Sequence, residues 1–326
     1  MMKTLLALLL GLAAFLRASA LNSCLEATSI ECRPGYFDNA DRTLWFGSYC
    51  GLTDEDLVDL AACLDARKLD GVETINLGYN NLNTLPEWVF QNLTTVRELN
   101  LEWNNLSSLD EGVFRGVTNL TTLNLGYNAL TTLPEGVFRG LTALYELDLV
   151  VNEIATLPEG VFEGLTNLTI LNLNANRLSI LPEGLFQGLT ALDDLGMAFN
   201  VISDLPQGIF RGLTALTSLS LGENELVTLP EEIFQGLMAL RGLGMSSNEF
   251  TFLPEGLFEN LPALENVNLD WNGCLESVPP TPTNVTVRFN EYYIECGAGS
   301  LLAFPSYAAD IAAALVVSWV MHFIFV

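Results

Sequence analysis

Residues 72–95 read VETINLGYNNLNTLPEWVFQNLTT, and the same frame begins again at 96, 120, 144, 168, 192, 216 and 240, with a partial ninth unit from Leu264. No other feature constrains the fold as tightly. A unit of 24 residues cannot bury an apolar face alone, so successive copies must share one continuous core and stabilise each other as neighbours.

Within the unit the first, fourth and sixth positions are apolar (Val72, Ile75 and Leu77 in the first copy). Alternation at that spacing predicts one short strand per repeat, with the third, fifth and seventh side chains on the opposite, outward face. The ninth position is always Asn: Asn80, Asn104, Asn128, Asn152, Asn176, Asn200, Asn224, Asn248 and Asn272. Flanked by leucines, each should turn inward and bond backbone groups that the turning chain leaves without partners. A Leu at the fourteenth position re-enters the core, and Pro recurs at the fifteenth, where it sets a bend. Phe recurs at the nineteenth, from Phe90 through Phe258, and stacked copies would form an aromatic spine. The recurrent LPEGVF is therefore scaffold, and its Glu is read as a solvated charge.

The pattern LxxLxLxxNxLxxLPxGxFxGLxx, over roughly residues 72–272, resembles the 24-residue class of extracellular leucine-rich repeat found in Toll-like receptors, small leucine-rich proteoglycans and variable lymphocyte receptors. The resemblance implies an α/β leucine-rich repeat solenoid. It would be a horseshoe or arc with a parallel sheet on its concave side and disulfide-stapled caps at both ends. Nine strands about 4.8 Å apart would give a face about 38 Å long. The cap spacings differ from the animal versions.

A solenoid exposes its core at both ends, and the six cysteines cluster there: Cys24, Cys32, Cys50 and Cys63 before the repeats, Cys274 and Cys296 after them. A disulfide spans at most about 7 Å between Cα atoms, so Cys274 is expected to pair with Cys296 and the other four among themselves. Cys24–Cys32 with Cys50–Cys63 is the preferred arrangement. The second bridge would brace a short helix in LTDEDLVDLAACL that Thr53 could cap, with Asp56 three residues on.

The expected organisation is a signal peptide over 1–20, an N-terminal cap over 21–71, the solenoid over 72–272, a C-terminal cap over 273–296 and a tail over 297–326. The first segment, MMKTLLALLLGLAAFLRASA, places Lys3 before an apolar run and ends in Ala-Ser-Ala, the pattern of a secretory leader cleaved after Ala20. Secretion permits the disulfides. It would also allow N-glycosylation at the five N-x-[ST] sequons, Asn92, Asn105, Asn119, Asn167 and Asn284. The tail's apolar run, 311–326, would make about 24 Å of helix, shorter than a ~30 Å hydrocarbon core. Small residues at Gly297–Ser300, a spacer and a hydrophobic terminus resemble a glycosylphosphatidylinositol attachment signal. A tilted single-pass helix is the alternative. Either would tether the protein to the extracellular face of the plasma membrane.

Beyond Ala20 there are 11 Lys+Arg against 39 Asp+Glu, so the mature chain carries 11 − 39 = −28. Its only lysine is Lys68, and without clustered cations nucleic acid is not an expected partner. The only histidine, His322, lies in the hydrophobic tail, which excludes a Ser-His-Asp triad, a Cys-His dyad and a histidine zinc site from the repeats. No phosphate-binding loop, nucleophile elbow or EF-hand loop occurs. The expectation is a protein with no catalytic residues, no metal and no cofactor.

Function should then reside on the outward positions, where side chains are free of the core. Repeats one to four carry large polar and aromatic residues there, and repeats seven and eight carry Ser218, Ser220, Gly222, Gly242, Gly244 and Ser246. Tyr79, Trp103 and Tyr127 share the eighth position of successive units and should stand side by side. Phe199 and Trp271 hold that position without aromatic neighbours. Aromatic rows anchor recognition surfaces, and they also stabilise sheets by packing on one another. The candidate ligand-binding set is Tyr79, Glu98, Glu102, Trp103, Tyr127, Glu146 and Asp148. The expected function is non-catalytic recognition or adhesion toward an extracellular protein or glycan, its chemistry basic or polyhydroxylated. The alternative is a structural wall or matrix protein that self-associates.

Overall fold

The computed structural model describes residues 36–38, 43–45, 53–54, 57, 72–272, 275 and 277–289. All lie in the first of two compact units, Met1–Glu291 and Tyr292–Val326. The six cysteines, the leader and the tail fall outside the described residues, and so do the disulfide and anchor expectations.

Twelve strands of three residues each form one sheet in simple sequence order. β1 (Tyr36–Asp38) pairs antiparallel with β2 (Thr43–Trp45), which pairs parallel with β3 (Thr74–Asn76). The repeats contribute β3, β4 (Glu98–Asn100), β5 (Thr122–Asn124), β6 (Glu146–Asp148), β7 (Ile170–Asn172), β8 (Asp194–Gly196), β9 (Ser218–Ser220), β10 (Gly242–Gly244) and β11 (Asn266–Asn268). β12 (Thr286–Arg288) follows, parallel to β11. The register joins equivalent positions, as Ile75↔Leu99↔Leu123↔Leu147 shows. The nine repeats thus form a leucine-rich repeat solenoid with a parallel sheet. Strands outside the repeats pair with both ends of the repeat sheet, so its edges are the three-residue β1 and β12, short edges that offer little to edge-to-edge pairing.

The apolar positions of every turn merge into one core in which most side chains are wholly inaccessible. The phenylalanine spine runs from Phe90 to Phe234 with ring centroids 6.2–6.4 Å apart and planes within 19° of parallel. Phe258 continues it, fully buried. In the second repeat Asp110 stands where the others have Pro, and its carbonyl accepts the Val113 amide at 3.2 Å, as Pro134 accepts Val137 at 3.2 Å.

The ninth-position asparagines bond backbone groups of their own and neighbouring turns. Asn152 donates through Nδ2 to the carbonyls of Leu125 (3.0 Å) and Leu149 (3.2 Å), and its Oδ1 accepts the Leu130 amide at 3.0 Å. One side chain thereby joins its own turn to the one before. The last rung differs: Asn272 donates to Met245 (3.0 Å) and Leu269 (2.9 Å), but its buried Oδ1 has no partner among the described residues.

LPEGVF has a second use that the sequence did not disclose. The Glu of one turn lies over the Gly of the next, so a Cβ on Gly136 would stand 2.6 Å from Glu111 Oε1, and one on Gly160 3.0 Å from Glu135 Oε1. The seventh repeat has Glu232 in place of that Gly. The turn before it offers Gln207 rather than Glu, and Gln207 Nε2 donates to Glu232 Oε2 at 3.3 Å. A second carboxylate there would meet like charge.

Asp54, in the N-terminal flank, performs a joining role that sequence reasoning missed. Its carboxylate accepts the Asn83 amide (2.7 Å), the Thr84 amide (3.2 Å) and the Thr84 hydroxyl (2.9 Å), tying that flank to the first repeat. Leu57 joins the core beside it.

Candidate recognition face

The residue at the eighth position has a left-handed backbone in all nine repeats, with φ between 51° and 64°, from Tyr79 to Trp271. None of the nine is Gly. Such a backbone costs an L-residue roughly 1–2 kcal/mol, and it persists here because the turn is fixed on both sides. The Trp103 amide donates to Gly126 O (3.1 Å) in the following turn, and the Asn105 amide donates to Leu82 O (2.8 Å) in the preceding one. The reversal sends Asn104 inward and leaves residues 103 and 105 on the surface.

Tyr79, Trp103 and Tyr127 are brought together by this conformation. Tyr79 and Trp103 stack with centroids 5.7 Å apart, and Trp103 and Tyr127 with centroids 4.2 Å apart and planes 8° from parallel. All three are half-buried. Trp103 is covered on both faces, so the row presents ring edges outward.

Beside the stack runs a second ladder, at the fifth position, whose function the sequence reading left unassigned. Asn76, Asn100, Asn124 and Asp148 stand in register. The side-chain oxygen of each accepts the amide two residues on, at Gly78, Glu102, Gly126 and Val150, over 2.8–2.9 Å. This is the Asx-turn geometry that Asn and Asp favour, so its recurrence in the sequence was a readable signal. The ladder also positions an acid: Glu102 accepts from Asn100 Nδ2 and Asn124 Nδ2, each at 3.1 Å.

The remaining candidate acids sit in two rows. Glu98 and Glu146 occupy the third-position row with Thr74 and Thr122, and the Thr74 hydroxyl donates to Glu98 Oε2 at 3.1 Å. Burial pushes the Asp148 carboxyl above its ordinary pKa, and the charges of Glu146 and Glu102 push it further. Hydrogen bonds from the Val150 amide and Asn172 oppose the rise. Among the described residues, no three or more metal-ligating side chains converge on one point.

Across β8 to β10 the outward face is small and largely bare. Gly196 lies beneath the Asn174 side chain, whose Oδ1 accepts the Ala198 amide at 2.7 Å. A Cβ on Gly242 would meet nothing within 4 Å, and one on Gly244 nothing nearer than 3.7 Å. Phe199 and Trp271 are exposed.

Three arginines of the repeats face acids on adjacent turns: Arg115 with Glu87 at 3.1 Å, Arg177 with Glu153 at 3.3 Å, and Arg241 with Glu265 at 2.7 Å. All five sequon asparagines are exposed.

The leucine-rich repeat family profile matches residues 66–106, 94–154, 142–202 and 195–250, and the chain belongs to that family. Leucine-rich repeat proteins are in general binding scaffolds rather than catalysts. No curated protein sequence matches the chain. Among solved structures, it is 29% identical to a leucine-rich repeat protein of Leptospira interrogans, over 62% of this chain and 56% of that one, with a TM-score of 0.48. TLR13, solved as a complex with ssRNA13, is 28% identical over 67% of this chain and 34% of its own, with a TM-score of 0.52. FLRT2, in an octameric complex with Latrophilin 3 and Unc5D, is 24% identical over 68% of this chain and 77% of that chain, with a TM-score of 0.51. The chain therefore spans about half of the first of these and a third of the second.

Proposed function

We propose that the protein is a non-catalytic extracellular recognition or adhesion protein that binds a basic protein ligand on the face of β3 to β6, tethered at the cell surface by its tail. The observation that carries this reading is the stacked row Tyr79–Trp103–Tyr127 beside the Glu102 carboxylate, which the amide ladder holds in place. Preorganised side chains lose little freedom on binding, so more of the contact energy is expressed as affinity. The outward third, fifth, seventh and eighth positions of β3 to β6 carry Glu98, Glu102, Glu146 and Asp148 and no Lys or Arg. That sign of charge favours a cationic partner and opposes a phosphate backbone, in contrast to the RNA bound by TLR13. A protein fits the stack better than a free glycan, because sugars pack on ring faces and Trp103 offers edges.

Unbiased capture of extracellular partners by the full chain, against a Tyr79/Trp103/Tyr127 triple alanine, tests the reading. The expected result is a partner lost in the triple variant, with Trp103→Ala alone weakening it by about 2 kcal/mol, the scale of an interface hot spot. Raised salt should weaken it further. A partner held equally by wild type and triple variant, with melting unchanged, would overturn it.

A further inference from the structure

The five sequons differ in what their amides do. Asn119 and Asn167 donate through Nδ2 to the carbonyls of Thr94 and Thr142 in the turn before, each at 2.7 Å. Asn92 has a φ of 66° and occupies the place that Gly140, Gly164, Gly188, Gly212 and Gly236 hold at φ 85–91° in later repeats. Asn284 is also left-handed, with a φ of 73°. Asn105 alone combines an ordinary backbone with an exposed side chain that has no hydrogen bond among the described residues.

Its place is also distinct. Asn105 is two residues beyond Trp103, and the residue between them, Asn104, is directed into the core by bonds to Leu77 O and Leu101 O, both 3.0 Å. Side chains 103 and 105 therefore emerge on either side of one buried asparagine. The Asn105 main chain is anchored to Leu82 O at 2.8 Å, so this separation is fixed. On the next turn the equivalent of Asn105 is Ala129, a small side chain.

We infer that Asn105 carries an N-linked glycan whose first sugar lies across the exposed edges of the Trp103–Tyr127 stack and controls access to it. In the linkage step Asn105 Nδ2 attacks the anomeric carbon of a lipid diphosphate-linked oligosaccharide. A C–N bond forms, the C–O bond to the diphosphate breaks, and one amide proton is lost. Amide resonance keeps the linkage planar. The sugar's apolar C–H face then meets ring edges. Such contact is too weak to hold a free saccharide. An attached sugar needs far less, because the tether gives it a high effective concentration. The inference rests on the extracellular reading above for exposure to the glycosylation machinery, and not on the identity of any ligand.

The full chain, secreted from a eukaryotic host, tests it by glycopeptide mapping of the five sequons and residue-resolved hydroxyl-radical footprinting. Glycosylated protein is compared with enzymatically deglycosylated protein and with Asn105→Gln. The expected result is sugar on Asn105 and oxidation of Trp103 and Tyr127 about threefold slower when it is present, the effect of covering a half-exposed ring edge. Trp88 and Tyr145, exposed and away from the stack, should oxidise at one rate in all three samples. Sugar at other sequons but not Asn105, or equal Trp103 rates, would overturn the inference and leave the extracellular reading standing. Bare asparagine at all five would remove both.

Discussion

The sheet has two halves that share a scaffold and differ in what they display. Over β3 to β6 the fifth position is Asn76, Asn100, Asn124 and Asp148, and the eighth begins with three stacked rings. Over β8 to β10 the same fifth position is Gly196, Ser220 and Gly244. Yet the buried asparagines, the left-handed eighth residue and the phenylalanine spine run through both halves without change. Fold integrity therefore does not require the outer ladder. Its run continues through Asn172, is broken over β8 to β10 and returns at Asn268, and its presence beside the stack fits a part in holding the outward side chains still.

Equality of the two scaffolds is the claim with the largest measurable consequence. Phe138 and Phe210 are fully buried, one in each half. Replacing either by Ala removes a spine ring and leaves a cavity, at a cost of about 3–5 kcal/mol. Chemical denaturation should return similar losses for the two variants. A much milder Phe210→Ala would mean that the bare half is also loosely packed, and the contrast would then lie in the core.

Next comes the inner ladder. Asn152→Ala orphans the Leu130 amide and removes one of the two asparagine donors to each of the Leu125 and Leu149 carbonyls, which keep Asn128 and Asn176, and should cost about 2–3 kcal/mol. Asn272→Ala removes the asparagine donor to the Leu269 carbonyl but orphans no amide, since the Met245 carbonyl keeps Asn248 and Asn272 Oδ1 has no partner among the described residues, and should cost about 1 kcal/mol less. Equal losses would show that the last rung works like the rest.

These inner features were legible because repetition does the reading: an apolar residue, an Asn or a Phe at one position in every copy admits a single environment. The stack was legible for the same reason, from three aromatics at one position. The outer ladder was harder to see, since its function depends on a local bond from residue five to residue seven that hydrophobic period does not report. The left-handed eighth residue could not be seen from residue type at all, because Tyr, Trp, Val, Ala, Phe, Glu and Ser all occupy it. It is imposed by the inward Asn that follows. The Glu over Gly arrangement was missed because it joins residues one period apart, so a single unit shows only an acid beside a glycine.

The bare half offers a smaller test in the opposite direction. Nothing crowds a Cβ at Gly244, and its backbone is ordinary for a strand, so Gly244→Ala should stabilise by about 0.5–1 kcal/mol through the unfolded chain's lost freedom. The gain would be read as a higher denaturation midpoint. Destabilisation would show that β10 needs its glycine for close packing, which the open space around it argues against.

The smallest effect isolates Asp148, whose carboxyl the decorated half has shifted. Asp148 is raised above its ordinary value of 3.8, first by burial and then by Glu146 and Glu102. A carboxyl with a raised folded pKa binds more protons in the native state than in the unfolded one as pH climbs from 3.8 through the folded value. Its contribution to stability therefore falls across that window and stays unfavourable at neutral pH. Asn at this position matches Asn124 and Asn172 on either side, and its oxygen can still accept the Val150 amide. Asp148→Asn should thus raise the melting temperature at pH 7, with the advantage over wild type shrinking as pH falls toward 3.8. A variant less stable than wild type at pH 7 would mean that the charge itself is stabilised there, and the face of β3 to β6 would have to be read as holding a cation of its own.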